Sequence, residues 1–351
     1  METKRASTVS KLNSQRKEEH LRIALNEDVS SKALSTGLEN YQFIHQALPE
    51  IDLDSVDLSI SLFGKKLDAP LLISSMVGGI ESARRINRNL AQAAQSLGIA
   101  MSVGSQRCAV EDERVASTYT VRDIAPDILL FANLGAIQLN NGYDVDECRR
   151  AMEMIEADAL ILHLNPLQEA LQHGGNTNFG GLLSKIERVC SRLQAPVIVK
   201  EVGFGISEDT ARKLASAGVA GIDVSGAGGT SWSEIERRRS CNPKDDNTGA
   251  GFASWGIPTA ESLRMVARGA PGLSLIASGG IRTGLDVAKS IALGADAAGM
   301  DMPLLKAADD SAESVIRTLQ TVIDEFRICL FCTGATSVAS LKNSPSLRKI
   351  S

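Results

Sequence analysis

From Pro70 onward, short apolar and β-branched runs alternate with longer segments whose apolar residues recur every three or four positions. The first pattern fits strands buried on both faces, and the second fits amphipathic helices. The runs are Leu71 to Ser75, Ala100 to Gly104, Ile128 to Asn133, Ala159 to Leu164, Pro196 to Val202, Gly221 to Ser225, Leu273 to Ser278 and Ala297 to Met300, eight in all. Helical patterns such as Glu81 to Leu97, Asp144 to Ala157, Ser207 to Ala217, Thr259 to Arg268 and Thr283 to Leu293 lie between them. Gly98, Gly218 and Gly294 stand where a helix must end and turn into the next strand. Eight such repeats predict an α/β chain closed into a (β/α)8 TIM barrel. A doubly wound sheet would open with a G-x-G-x-x-G turn, and none follows Ile73. Residues 1–69 lack the rhythm and are expected to form an N-terminal extension packing on a barrel of residues 70–351, a single domain overall. Ser231 to Phe252 reads as a polar insertion after the sixth strand, on the face where loops commonly serve as lids.

Composition narrows the class. Of 351 residues 43% are hydrophobic and 4% aromatic, and the formal net charge is −5. With the charges interspersed there is no Lys/Arg field for a nucleic-acid backbone or an anionic membrane, and few rings for base stacking. The longest apolar stretches are strand-length, too short for the roughly 20 residues of a membrane span. Met1 to Arg16 lacks a signal core and an Arg-rich transit pattern, so a cytoplasmic location is expected. Six cysteines, Cys329 and Cys332 among them in an apolar helical run, are scattered like reduced, buried thiols.

The polar residues gather at the predicted C-terminal ends of the strands. Ser278-Gly279-Gly280-Ile281-Arg282-Thr283-Gly284 follows strand seven, and Gly299 to Met302 follows strand eight. Barrels of this type bind phosphate at that place with glycine amides and a helix N-terminus; an ordinary glycine-rich turn is the alternative. Lys200 lies inside an apolar run and needs an anionic partner, either a flavin's electron-rich pyrimidine edge or a buried carboxylate such as Asp223. Strand four ends in His163-Leu164-Asn165-Pro166-Leu167-Gln168-Glu169. One Glu beside neutral amides suffices for a Mg²⁺ ion on a diphosphate. A core histidine and a helix N-terminal charge are the plain readings of His163 and Glu169. Arg16, Lys17 and His20, with Ser105, Gln106 and Arg107, add groups suited to a second molecule's phosphates, although Arg-Lys-Glu-Glu also describes a solvated helix start.

Taken together, Arg16-Lys-Glu-Glu-His20, Met76-Val-Gly-Gly79, Gly104-Ser-Gln-Arg107, Asn133-Leu-Gly135, Asn165-Pro-Leu-Gln-Glu169, Lys200-Glu-Val-Gly203, Ser225-Gly-Ala-Gly-Gly-Thr-Ser-Trp232 and Ser278-Gly-Gly-Ile-Arg282 resemble the type 2 isopentenyl-diphosphate isomerases nearly end to end. The resemblance implies an isomerase of isoprene biosynthesis that interconverts isopentenyl and dimethylallyl diphosphate. It implies FMN, NADPH to reduce it, and Mg²⁺, in a homo-oligomer, a tetramer or an octamer. FMN contacts would come from Met76, Val77, Gly78, Ser105, Asn133, Lys200, Ser225, Thr230, Gly279, Gly280, Arg282, Asp301 and Met302. Arg16, Lys17, His20, Ser105, Gln106, Arg107 and Gln168 would bind substrate, Glu169 the metal, and Gln168, Asn165 and His163 would act at the reacting end, where the reduced flavin is the acid–base catalyst.

Three positions depart from the family: Val77 where Thr is usual, Gly174 to Phe179 where a Gly-Asp-Arg pattern is usual, and Asp301 beside the expected phosphate. An FMN-dependent α-hydroxy-acid oxidase or dehydrogenase shares the glycine loop, yet needs a His and an Arg near strand six, where this chain reads Ser225-Gly-Ala-Gly-Gly-Thr. An inosine-monophosphate-dehydrogenase-like reading needs a loop Cys, and Cys241 lies in the polar insertion. A non-enzymatic binding protein is the remaining class.

Overall fold

The computed structural model describes residues 15–239 and 248–350. Eight parallel strands close into a barrel in chain order: β1 Leu71–Ile73, β2 Ala100–Ser102, β3 Leu130–Gly135, β4 Ala159–Leu164, β5 Val197–Glu201, β6 Gly221–Asp223, β7 Ser274–Ala277 and β8 Ala297–Met300. Closure is made by β8 on β1, Gly299 opposite Leu72. All eight predicted runs are strands, and β3 lies two residues further along than its pattern placed it, because Ile128 to Leu134 is apolar almost throughout and marks no end.

The helices form where predicted. In α1 (Glu81–Leu97) Ala83, Ile86, Leu90, Ala91 and Ala94 lie on one buried face, and Gly98 ends it at φ 60°. Burying Ile86 and Leu90 contributes about 1.5–3 kcal/mol each. α2 (Val145–Ile155) starts with an Asp144/Glu147 capping box. Further along come α3 (Pro166–Leu171), α4 (Leu182–Arg192), α5 (Glu208–Ser216), α6 (Trp232–Arg239), α7 (Thr259–Gly269), α8 (Gly284–Ala292), α9 (Met302–Asp310) and α10 (Ala312–Thr333). The segment predicted as a polar insertion thus opens with a helix, α6. Cys329 and Cys332 both lie on α10 as free thiols, and Cys241 falls outside the described residues.

The N-terminal end of the barrel is sealed by apolar side chains. A hairpin of Ile60–Leu62 and Lys65–Leu67 sends Leu62 and Leu67 into one cluster with Leu72, Ala100, Phe131, Ile161, Ile198 and Ile276. Phe63, at the hairpin tip, meets Phe131 edge-on at 5.9 Å. Tyr41–Phe43 pairs antiparallel with Leu347–Lys349, tying the segment before the barrel to the one after it. No helix among the described residues is long and apolar enough to cross a membrane.

Candidate active site

The helix at 15–26 and the C-terminal ends of every strand except β7 enclose a cleft of about 1200 Å³, its open mouth included.

A chain of hydrogen bonds crosses the cleft floor. Asn133 Nδ2 donates to Ser75 Oγ at 2.7 Å, and Ser75 Oγ lies 2.6 Å from Ser102 Oγ. The Asn133 amide oxygen is thereby left to accept, and His163 Nδ1 stands 2.8 Å from it. This network assigns the proton to Nδ1 and leaves Nε2 a lone pair. Burial first, then the Lys200 and Lys17 charges, press the His163 pKa down to about 4, so the ring is neutral at pH 7. Asn133 sits inside β3 rather than after it.

Lys200 Nζ donates to the Glu201 carbonyl at 3.0 Å and to Ser278 Oγ at 3.2 Å, and stands 3.5 Å from Asp223 Oδ2. The carboxylate partner foreseen as an alternative is therefore present, yet Lys200 also faces the cleft. Next to it Glu201 Oε2 accepts from the amides of Val202, Gly203 and Phe204. Burial outweighs those bonds and lifts the Glu201 pKa to about 7. Ser225, at the end of β6, holds φ 36°, a left-handed conformation that costs a non-glycine residue about 1–3 kcal/mol and concentrates at functional sites.

The wall above β4 is polar and almost wholly enclosed. Asn165 precedes α3, whose Pro166 occupies the first turn and whose next residues bring Gln168 and Glu169 onto one face. Asn165 Nδ2 donates to Gln168 Oε1 and Glu169 Oε1, both at 3.1 Å, and Glu169 Oε2 accepts from the Asn176 amide at 2.6 Å. A Cβ on Gly175 would come 2.0 Å from the Glu169 carbonyl oxygen. Within the Gly174 to Phe179 departure, the Gly175 backbone and the Asn176 amide thus lie directly against Glu169. Asn165 Oδ1 is buried without a hydrogen-bond partner. Such an atom suits a donor or a cation brought by a ligand. Among the described residues no three His, Cys, Asp or Glu converge as a metal cage, so an ion here would share one carboxylate with its cargo.

Basic side chains stand beside this wall, His20 and Gln168 sharing Glu236 Oε1. Arg16, Lys17, His20 and Arg107 all line the cleft. Arg107 Nε donates to Glu111 at 2.8 Å; His20 Nε2 is 3.1 Å from Glu236 Oε1 and meets Trp232 edge-on at 5.3 Å. Burial lowers the Arg16 pKa, with Arg107 next among the causes. Lys17 Nζ donates to the Gly78 and Ser105 carbonyls and to Tyr119 Oη, at 2.8, 3.0 and 2.7 Å. Its three protons are spoken for, and burial lowers its pKa. Gly78 must be glycine there, since a Cβ would fall 1.9 Å from the Tyr119 ring.

Several expected contacts lie elsewhere. Gln106 is fully buried: its amide donates to the Ala151 carbonyl at 2.8 Å and accepts from the Asn133 amide at 2.9 Å, so the side chain braces β3 and does not face the cleft. Thr230, Gly279, Gly280, Arg282 and Met302 are also absent from the cleft wall, whereas Met76, Val77, Gly78, Ser105 and Asp301 are on it. The cause is packing from the N-terminal segment. Ser30 bridges Thr230, and Thr36 Cγ2 comes within 2.4 Å of where a Gly280 Cβ would stand. The amides opening α8 are taken as well: Arg282 and Thr283 donate to Asp286, and Gly284 to Glu325. Sequence reasoning passed over Glu236, buried on α6, which accepts from Gln168 at 3.3 Å and bonds Arg239. Its run of charges reads as a solvated face, whereas His20 of the 15–26 helix and Gln168 of α3 both close over it.

The model of the FMN-dependent dehydrogenase family matches residues 11–124 and 181–348, most of the chain, which places the protein in that class. Among solved structures a mandelate oxidase superposes with TM-score 0.63 at 22% identity, covering 91% of both chains. A lactate oxidase of Pediococcus acidilactici gives 0.65 at 18%, covering 99% of this chain and 94% of its own; these likenesses confirm the barrel fold. Within the class, an isopentenyl-diphosphate delta-isomerase of Nostoc sp. is 54% identical over 95% of this chain and 96% of its own. One from Synechocystis sp. is 52% identical over 94% and 95%. The chain belongs to the isopentenyl-diphosphate delta-isomerase family, in its FMN-dependent type 2 form.

Proposed function

We propose that the protein interconverts isopentenyl and dimethylallyl diphosphate with reduced FMN as acid–base catalyst and Mg²⁺ on the diphosphate. The observation that carries this reading is the convergence of Arg16, Arg107 and His20 with Glu169 and the Asn165 and Gln168 amides in one cleft that also exposes Lys200, Asn133 and Ser225. An α-hydroxy-acid oxidase would need its His and Arg near β6, where this chain reads Ser225-Gly-Ala-Gly-Gly-Thr.

The residues fit a flavin at the ring end. Met76, Val77, Gly78, Ser105, Asn133, Lys200 and Ser225 would hold it, Lys200 supplying positive charge to its electron-rich edge. When bound, the reduced flavin supplies the proton donor and acceptor for the alkene. The other work falls to this chain. Arg16 and Arg107 would bind diphosphate oxygens, and Lys17 would fix the 15–26 helix over the loops of β1 and β2. Glu169, with Asn165 Oδ1 alongside, would take the ion. His163 and Gln168 would position the reacting carbons, the neutral imidazole offering no proton of its own at pH 7. The enclosing helix excludes water. NADPH as reductant, a homo-oligomer (tetramer or octamer), a cytoplasmic location and residues 1–69 acting with 70–351 as one domain belong to the same proposal. Anaerobic incubation of the protein and isopentenyl diphosphate with FMN, NADPH and Mg²⁺ tests it: allylic diphosphate is the expected product, and its absence would sink the reading.

A further inference from the structure

The phosphate end of the flavin site carries charge of the wrong sign. β8 ends at Met300, and the next residue, Asp301, caps α9 while lining the cleft. Asp301 Oδ1 accepts the Met302 amide at 2.7 Å, and among the described residues no cation lies within ion-pair distance of the carboxylate. The neighbouring helix offers no substitute, because Asp286 and Glu325 occupy its first amides. In a TIM barrel these two helix starts, after β7 and β8, are where a phosphate is received by amides bearing partial positive charge. An anionic side chain in that position both repels a phosphate and competes for the amide it would use.

We infer that Asp301 sets the flavin selectivity of this protein, suppressing its preference for FMN over riboflavin, the same ring system without the phosphate. The inference rests on the flavin reading of the site and concerns only its phosphate end. The ring contacts Lys200, Asn133 and Ser225 lie on other strands and are indifferent to the change. Asn and Ser are as good as Asp at a helix N-cap, so either can replace Asp301 and keep α9 in place without the charge.

The test is titration of the full-length chain and of its Asp301→Asn and Asp301→Ser variants with FMN and with riboflavin, followed by quenching of flavin fluorescence. Both substitutions should tighten FMN by about tenfold, the scale of one like-charge contact in a water-like dielectric, while riboflavin affinity stays within about twofold. Unfolding temperatures of the flavin-free proteins check that the cap survives. An unchanged ratio of the two affinities, or equal gains for both flavins, would overturn the role of Asp301 and leave the flavin site standing. If neither flavin bound any of the three proteins, the flavin reading itself would fall, and this inference with it.

Discussion

The two ends of the barrel are built from the same eight strands and do opposite things. At the N-terminal end the strands turn Leu72, Phe131, Ile161, Ile198 and Ile276 inward against a hairpin plug. Two or three residues further along, four of the same strands present Ser75, Asn133, His163 and Lys200. The lower layer gains stability by leaving nothing to satisfy. The upper layer buries polar groups and keeps them tolerable with hydrogen bonds, leaving Asn165 Oδ1 without a partner and Ser225 strained. A barrel thus separates the region that holds it together from the region that reacts, and substitutions on the two sides should move different observables.

The largest expected effect is on the lower side. Phe131→Ala removes a fully buried ring that packs on Phe63, which typically costs about 3–5 kcal/mol. Urea denaturation should show that loss, while kcat of the folded fraction stays near the parent value. A fall in kcat without loss of stability would join the layers that we separate. On the upper side, Glu169→Gln should lower kcat/KM about 100-fold and abolish its dependence on Mg²⁺ concentration, with flavin absorbance unchanged. Loss of bound flavin in that variant would make Glu169 a scaffold residue.

Much of this division was legible in the sequence. The eight strands are apolar runs, and apolar runs between amphipathic helices have few alternatives. The polar residues grouped at the strand ends mark the reactive face in the sequence itself. What sequence could not tell is which polar side chain is spent internally. Gln106 and Gln168 are the same residue type at comparable strand ends, but the first is consumed by Ala151 and Asn133 whereas the second reaches the cleft. The glycine loop after β7 reads as a phosphate-binding turn, and the 28–36 segment packs on it, a contact between residues some 250 positions apart that local pattern does not encode. Glu236 was missed for the same reason.

A smaller effect tests the rim. Arg16→Ala should raise KM for isopentenyl diphosphate by about 10–100-fold, the value of one or two hydrogen bonds to a charged group, with kcat little changed. If kcat fell and KM did not, Arg16 would belong to the reacting end and the cleft would be wrongly divided.

The smallest effect is the pH dependence that buried polarity imposes. His163 is held neutral in the folded protein down to about pH 4, while in the unfolded chain it takes its proton near its ordinary 6.5. Between those values the unfolded state binds more protons, so stability declines as pH falls through that window. Glu201 runs the other way. Its folded pKa of about 7 stands above the ordinary 4.5, so the folded state holds the extra proton and stability declines as pH rises from 4.5 through 7. In the overlap from about 4.5 to 6.5 the two slopes oppose each other, and the parent protein should melt at nearly constant temperature there. His163→Gln removes one of them. Its melting temperature should then fall with rising pH across the overlap, by a few degrees, and a curve parallel to the parent's would show that His163 is not the neutral, buried group the cleft floor makes it.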